Sequence, residues 1–235
     1  MHDFINFFGS AFHLTFSGDA GLWAIVVLSL KVSLGAVFVA AAIGMPLGAL
    51  LAAAQFRGRT VLIVIVNSLM GLPPVVVGLM VYMALSRSGP LGVLQLLYTP
   101  TAMVIAQVIL VTPIIAALTR QTIAELDLEY SEFLRSLRVS RVNAAATMLW
   151  DGRFSLMTAL LAGFGRAIAE VGAVIIVGGN INHVTRVMTT SIALETSKGN
   201  LAMAMALGMI LILLALLVNG AVSLVGARAM RVAYV

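Results

Sequence analysis

The chain has 235 residues, 61% of them hydrophobic and only 10% charged, with a net charge of +5. A soluble domain needs far more polar surface than this, so the composition assigns the chain to a lipid environment. The absence of cysteine excludes disulfide staples and thiolate metal sites, and the basic residues lie scattered in short segments between apolar runs, a topology pattern rather than a nucleic-acid patch.

The opening peptide "MHDFINFFGSAF" has no basic n-region and no small-residue cleavage site, so no removable signal is expected. Phe4, Phe7, Phe8, Phe12 and Phe16 suit an interfacial segment over residues 1–20 on the periplasmic side. Asp19 is a candidate N-cap for the helix that follows. Windows of about 20 apolar residues, the length that crosses the hydrocarbon layer, fall at 22–54, 61–85, 101–124, 154–178 and 201–227. The first is overlong and holds Lys31, so it is expected to tilt or to project past the bilayer. Span two contains "MGLPPVVVGL", with Pro73 and Pro74 near mid-membrane, while Pro46 and Pro113 interrupt spans one and three. Proline removes backbone donors that lipid cannot replace, so these positions read either as kinks around a gated path or as ordinary packing features. Asn67, Gln107, Thr112 and Asn219 are isolated polar residues within spans, and interhelical hydrogen bonding is expected of them.

Between spans three and four lies "EYSEFLRSLRVSR", residues 129–141, the one long charged stretch. Tyr130, Phe133, Leu134 and Leu137 fall at helical spacing on one face. Asp127 can cap the start, Glu129 and Glu132 sit early, and Arg135 and Arg138 sit late, which complements the helix dipole. The spacing predicts a short amphipathic helix within a loop over 125–142. Its apolar face needs a dock, and two are open: the membrane surface or a groove on a partner protein.

Span four reads "AGFGRAIAEVGAVIIVGGN", in which Arg166 and Glu170 are four apart and so share one helical face. Charges at this depth need a partner or a cavity, so the pair is either a gate element or a structural ion pair. The outer segment that follows, "TTSIALETSKG", offers Thr189, Thr190, Glu195 and Lys198 to a docking protein, or else caps the bundle. His2, His13 and His183 have no helical partner at i+4, which argues against a metal or haem site. No G-x-x-x-x-G-K-[ST] occurs, so an ATPase site is not expected in this chain. Arg57, Arg59, Arg120, Arg135, Arg138, Arg141, Arg153, Arg228 and Arg231 fall on one side, against Arg87, Arg186 and Lys198 on the other. That asymmetry predicts the N-terminus outside and the C-terminus in the cytoplasm.

Several segments carry a family resemblance. Glu132-Phe133-Leu134-Arg135-Ser136-Leu137-Arg138 resembles the "EAA" coupling loop of permease subunits of ATP-binding-cassette importers, with Phe133 and Leu134 at the alanine pair, Arg138 at the glycine and Asp151 at a usual proline. "LPPVVVG" is similar to molybdate-type permeases, and the Arg166–Glu170 segment to molybdate and sulfate permeases. The stretch "NINHVTRVMTTSIALETSKGNLAMAMALG" looks most like tungstate-type (Tup) permeases.

The resemblance implies an all-α polytopic membrane bundle, of the type I importer permease kind, forming one domain over 1–235 with five spans and a cytoplasmic coupling helix. It implies an inner-membrane permease, not itself an enzyme, that moves a tetrahedral oxyanion, tungstate first, with molybdate or sulfate as alternatives. A second copy, cytoplasmic ATPase subunits binding ATP and Mg, and an extracytoplasmic binding protein are the implied partners. Glu132, Phe133, Leu134, Arg135, Leu137 and Arg138 would couple to the ATPase; Pro73, Pro74, Arg166 and Glu170 are pathway or gate candidates. An ion-gradient secondary transporter and a membrane assembly subunit are the competing classes. The first would show paired intramembrane carboxylates and related halves, and the second has nothing in the spans to hold a cofactor.

Overall fold

The computed structural model describes residues 19–136 and 139–233, and among these residues there are nine α-helices, one 3-10 turn and no strand. Helix α1 (Ala20–Ala53) starts where the sequence predicts, with Asp19 Oδ1 accepting from Leu22 N–H at 2.7 Å. Its 34 residues extend roughly 51 Å at 1.5 Å per residue, well beyond the hydrocarbon layer. The far end is closed by Arg59, which donates from Nε to Leu51 O at 2.7 Å and from its terminal nitrogen to Ala52 O at 2.9 Å. Helix ends leave such carbonyls without an internal partner, so a basic residue between the predicted spans one and two finishes the helix.

Span two is broken rather than kinked. Helix α2 (Arg59–Leu69) stops before the prolines, and α3 (Pro74–Leu85) begins with Pro74 at its first position. Pro73 is extended, with φ −65° and ψ 121°. Two successive prolines remove two donors and push the residue before each out of helical geometry, so the chain restarts instead of bending. Single prolines behave differently: α1 runs unbroken through Pro46, and α4 (Pro100–Ser136) through Pro113. The interruptions expected there do not occur. A 3-10 turn (Gly92–Leu94) lies in the loop between α3 and α4.

Four further elements follow α5 (Arg141–Asp151): α6 (Arg153–Ile168), α7 (Gly172–Gly178), α8 (Met188–Ser197) and α9 (Leu201–Ala233). By length and composition α1, α4 and α9 can each cross a membrane, and the pairs α2–α3 and α6–α7, bent by 100° and 57°, are apolar enough for one more span each if each pair is taken as one. The described residues thus hold three such helices, or five spans when each bent pair is counted as one, which agrees with the five predicted. Trp23, Leu34 and Phe38 on α1 and Ile212, Leu216 and Leu217 on α9 are exposed apolar side chains. Lipid solvates such faces, whereas water would penalise them.

The chain divides into two compact units, each assembled from separate stretches: Met1–Gly35, Pro73–Gln107 and Ile168–Val218 in the first, and Ala36–Leu72, Val108–Ala167 and Asn219–Val235 in the second. In the first, α3 packs on α7 through glycine: a Cβ at Gly78 would lie 2.7 Å from Ala173 Cα. In the second, Gly44 and Gly48 let α1 lie against α4, where a Cβ on Gly48 would come within 2.8 Å of Thr119 Cβ and 2.9 Å of Arg120 N. This is the small-xxx-small packing that membrane helices use when burial from water cannot drive association. Ala40, Val111, Ile115 and Ala167 form a buried cluster of that unit.

Candidate functional site

The stretch expected to couple to a partner, residues 125–136, belongs to the second unit. Helix α4 continues without interruption to Ser136, so residues 125–136 form the end of a 37-residue helix and not a separate short one. Asp127 accordingly sits mid-helix and caps nothing. Strong helix formers fill 117–136, with no glycine or proline to stop the helix. Glu132 is exposed; Phe133, Leu134 and Arg135 are described in backbone only, and Leu137 and Arg138 lie outside the described residues.

After the turn, Ser140 starts α5, its Oγ accepting from Asn143 N–H at 3.3 Å. Sequence reasoning missed this helix. Its signal was available as Ser140 followed at the third position by Asn143 and then by an alanine run, an N-cap pattern of moderate strength. Helix α5 turns Ala145 and Met148 into a buried cluster with Ala49 and Ala52 of α1 and Ile123 of α4, and Tyr130 packs against that cluster. The amphipathic stripe is thus partly covered by the chain's own next helix. At the α5–α6 junction, a Cβ on Gly152 would lie 2.9 Å from Leu126 Cδ1. Arg153 stacks over Trp150 and Phe154 at 4.8 and 4.7 Å from the ring centroids. The result is a corner: the end of α4, a tight turn and α5, anchored by Met148 and presenting Glu132 outward.

The membrane-interior candidates fall mostly in the first unit. Helix α6 ends at Ile168 and α7 starts at Gly172, so Arg166 and Glu170 do not share a continuous helical face as the spacing predicted. Arg166 is in the last turn of α6, while Glu170 stands in the break with only 5% of its surface exposed. Glu170 Oε1 accepts from Ala173 N–H at 3.1 Å, and its backbone oxygen accepts from Thr189 Oγ1 at 2.8 Å. A side chain that bonds the backbone three residues ahead competes with helix continuation, which gives a local reason for the break. Beside it, Val75 in the first turn of α3 packs over Gly172. The unit therefore brings the restart of span two, the break in span four and the start of α8 together.

Of the outer-segment candidates, Thr189 and Thr190 are buried and engaged internally. The Thr190 hydroxyl accepts from Val187 N–H at 3.2 Å and reaches Asn180 Oδ1 at 3.0 Å. Ser29 Oγ on α1 accepts from Met188 N–H at 2.8 Å, tying α8 to the start of span one. These hydroxyls satisfy turns and helix ends and are buried within the chain, unlike the displayed donors that the docking expectation pictured. Glu195 and Lys198 are bridged at 2.9 Å at the far end of α8, with Asn200 Nδ2 donating to the other carboxylate oxygen at 2.9 Å. Lys198 and Asn200 hold the Glu195 carboxyl below the usual carboxylate range. Thr112, expected to bond between helices, instead donates to Val108 O of its own helix at 2.7 Å.

Residues 44–231 match the family described as binding-protein-dependent transport system inner membrane component. A tungstate uptake system permease protein, TupB, of Peptoclostridium acidaminophilum is 40% identical over 92% of this chain and 94% of its own length. A probable anion ABC transporter permease of Haloferax volcanii is also 40% identical, over 84% of this chain and 88% of its own. Likeness to the sulfate transport system permease CysT of Salmonella typhimurium is lower, 28% over 82% of this chain and 73% of the other.

Proposed function

Because the chain belongs to the family of inner membrane components of binding-protein-dependent transport systems, we propose that it is the permease subunit of an ATP-driven importer whose cargo is a tetrahedral oxyanion, tungstate before molybdate or sulfate. The observation that carries the reading is the 40% identity to a tungstate uptake permease along almost the full length of both chains. In this reading two copies form the path, since five spans are few for one chain to enclose one. A separate ATPase supplies the chemistry, and a binding protein delivers the anion outside. The N-terminus lies outside and the C-terminus in the cytoplasm, as the basic residues favour.

The corner between α4 and α5 takes the force of the ATPase. Its rigidity supports this role: Met148 is fully buried, and α5 is locked to α1 and α4. Movement of the ATPase shifts the permease between states only through contacts that differ between them, and a corner tied to two long helices transmits such contacts. Glu195 and Lys198 remain as docking candidates on the outer side.

The test is a reconstituted complex of permease and ATPase, offered binding protein loaded with tungstate, molybdate or sulfate in turn. Tungstate is expected to give the largest ATPase stimulation and uptake. Stimulation by sulfate equal to that by tungstate removes the substrate assignment, and failure of any ATPase to copurify removes the importer reading.

A further inference from the structure

The loop between α3 and α4, residues 86–99, encloses an open cup of about 930 Å³ in the first unit. Six polar side chains line it: Tyr82, Ser86, Arg87, Ser88, Gln95 and Tyr98. No lining residue is acidic, and Arg87 is the one cation among them. Among the described residues the Arg87 guanidinium has no hydrogen-bond or ion-pair partner. The serine hydroxyls stand 3.4 Å apart; Ser86 donates to Met83 O, so Ser88 is the donor within the pair.

The loop is held in a costly conformation. Gln95 and Tyr98 both have left-handed backbones, φ 50° and 62°, at positions where glycine would be unstrained. The Tyr98 N–H donates to Val177 O at 2.9 Å, and Gly179 leaves room under the ring, where a Cβ would lie 2.8 Å from Tyr98 Cδ1. The ring meets Tyr82 edge-on at 6.4 Å between centroids, and hydrogen bonding to Tyr82 raises the Tyr98 phenol above its ordinary value. Strain that the surroundings enforce at a concavity carrying a cation and phenol groups on a largely apolar wall points to a use for that geometry.

We propose that this cup is a binding site for a tetrahedral oxyanion, held by the Arg87 guanidinium and the phenol hydroxyls of Tyr82 and Tyr98. The proposal rests on the importer reading above and on this loop facing outward, and it adds a station between the binding protein and the path. Neutral donors around one cation suit a dianion, because a carboxylate would repel it and a second cation would retain it. The open shape leaves part of the hydration shell in place, and passage needs a site that admits the ion yet releases it. The same chemistry, a cluster of anionic oxygens, is offered by a lipid phosphate, so the test separates the two sources.

The full complex of permease and ATPase in phosphatidylcholine nanodiscs is titrated with radiolabelled tungstate by equilibrium dialysis, without binding protein. One saturable site per permease chain is expected. Arg87→Gln should weaken it about ten-fold, as expected when a charged donor becomes neutral at a solvent-reached site, with Arg87→Lys intermediate and Tyr98→Phe a smaller loss. Thermal unfolding and copurification of the ATPase should match the parent, which separates loss of the site from loss of the fold. Uptake by Arg87→Gln should fall while ATPase stimulation by loaded binding protein persists. Absence of saturable binding in the parent, or equal binding by Arg87→Gln, overturns the site. So does displacement of tungstate when phosphatidic acid is included in the nanodisc, which hands the cup to a lipid headgroup. Stimulated ATPase and uptake in the parent with no tungstate bound would sink the cup alone; no stimulation by any loaded binding protein would sink the importer reading.

Discussion

Single residues in this chain often serve a backbone before they serve a substrate. Arg59, Ser29, Thr185 and Thr189 each spend side-chain polarity on a carbonyl or N–H that the fold leaves open. Glu170 does the same for Ala173 N–H. Glu170→Ala orphans that buried donor and should lower stability by about 1–3 kcal/mol, whereas Glu170→Gln keeps an acceptor and should retain most of the melting temperature in detergent. Equal losses in the two variants would contradict the role assigned to the carboxylate oxygen. Gly48 makes the opposite demand, for absence of a side chain. Gly48→Leu meets Thr119 and the backbone of α4 and should cost about 1–3 kcal/mol or more through overpacking, read as a lower melting temperature.

At the level of elements, the start of each predicted apolar window falls within two residues of a helix start, because apolar length is a property of the chain itself, whereas the helix of the third span runs on to Ser136 past the predicted end at 124. Sequence reasoning erred where two elements compete for the same residues. The stretch 125–136 reads as its own amphipathic helix, yet nothing between Ile114 and Ser136 stops α4, so the helix simply continues. Helix α5 escaped notice because its eleven residues are alanine-rich, and a short apolar stripe gains meaning only against the cluster it fills. Met148→Ala should lose about 2–5 kcal/mol and also reduce ATPase stimulation more than a peripheral variant of equal stability; unchanged stimulation would count against the corner as the coupling element. For α8, the Glu195 carboxyl is held below its ordinary range by Lys198 and Asn200. Its contribution to stability is therefore complete above the usual carboxylate value and is lost as pH falls through the depressed one. Melting temperature should stay level on mild acidification and then drop, and Glu195→Gln should remove that acid limb.

For the whole molecule, the importer reading makes the ATPase an obligate partner. Leu134→Asp, at a position the helical spacing places on the apolar face, should release the ATPase while leaving membrane insertion intact; retained copurification and uptake would oppose docking there. Composition, span count, the absence of a nucleotide loop and the family resemblance were all legible from the chain, since each depends on residue identity or on order along it. The breaks in spans two and four, the burial of Thr189 and Thr190, the helix end that falls between Arg166 and Glu170, and the cup around Arg87 were decided only by tertiary structure. Whether a helix stops, and which polar group is spent closing that stop, depends on neighbours distant in sequence. A membrane interior has no water to satisfy whatever those neighbours leave open.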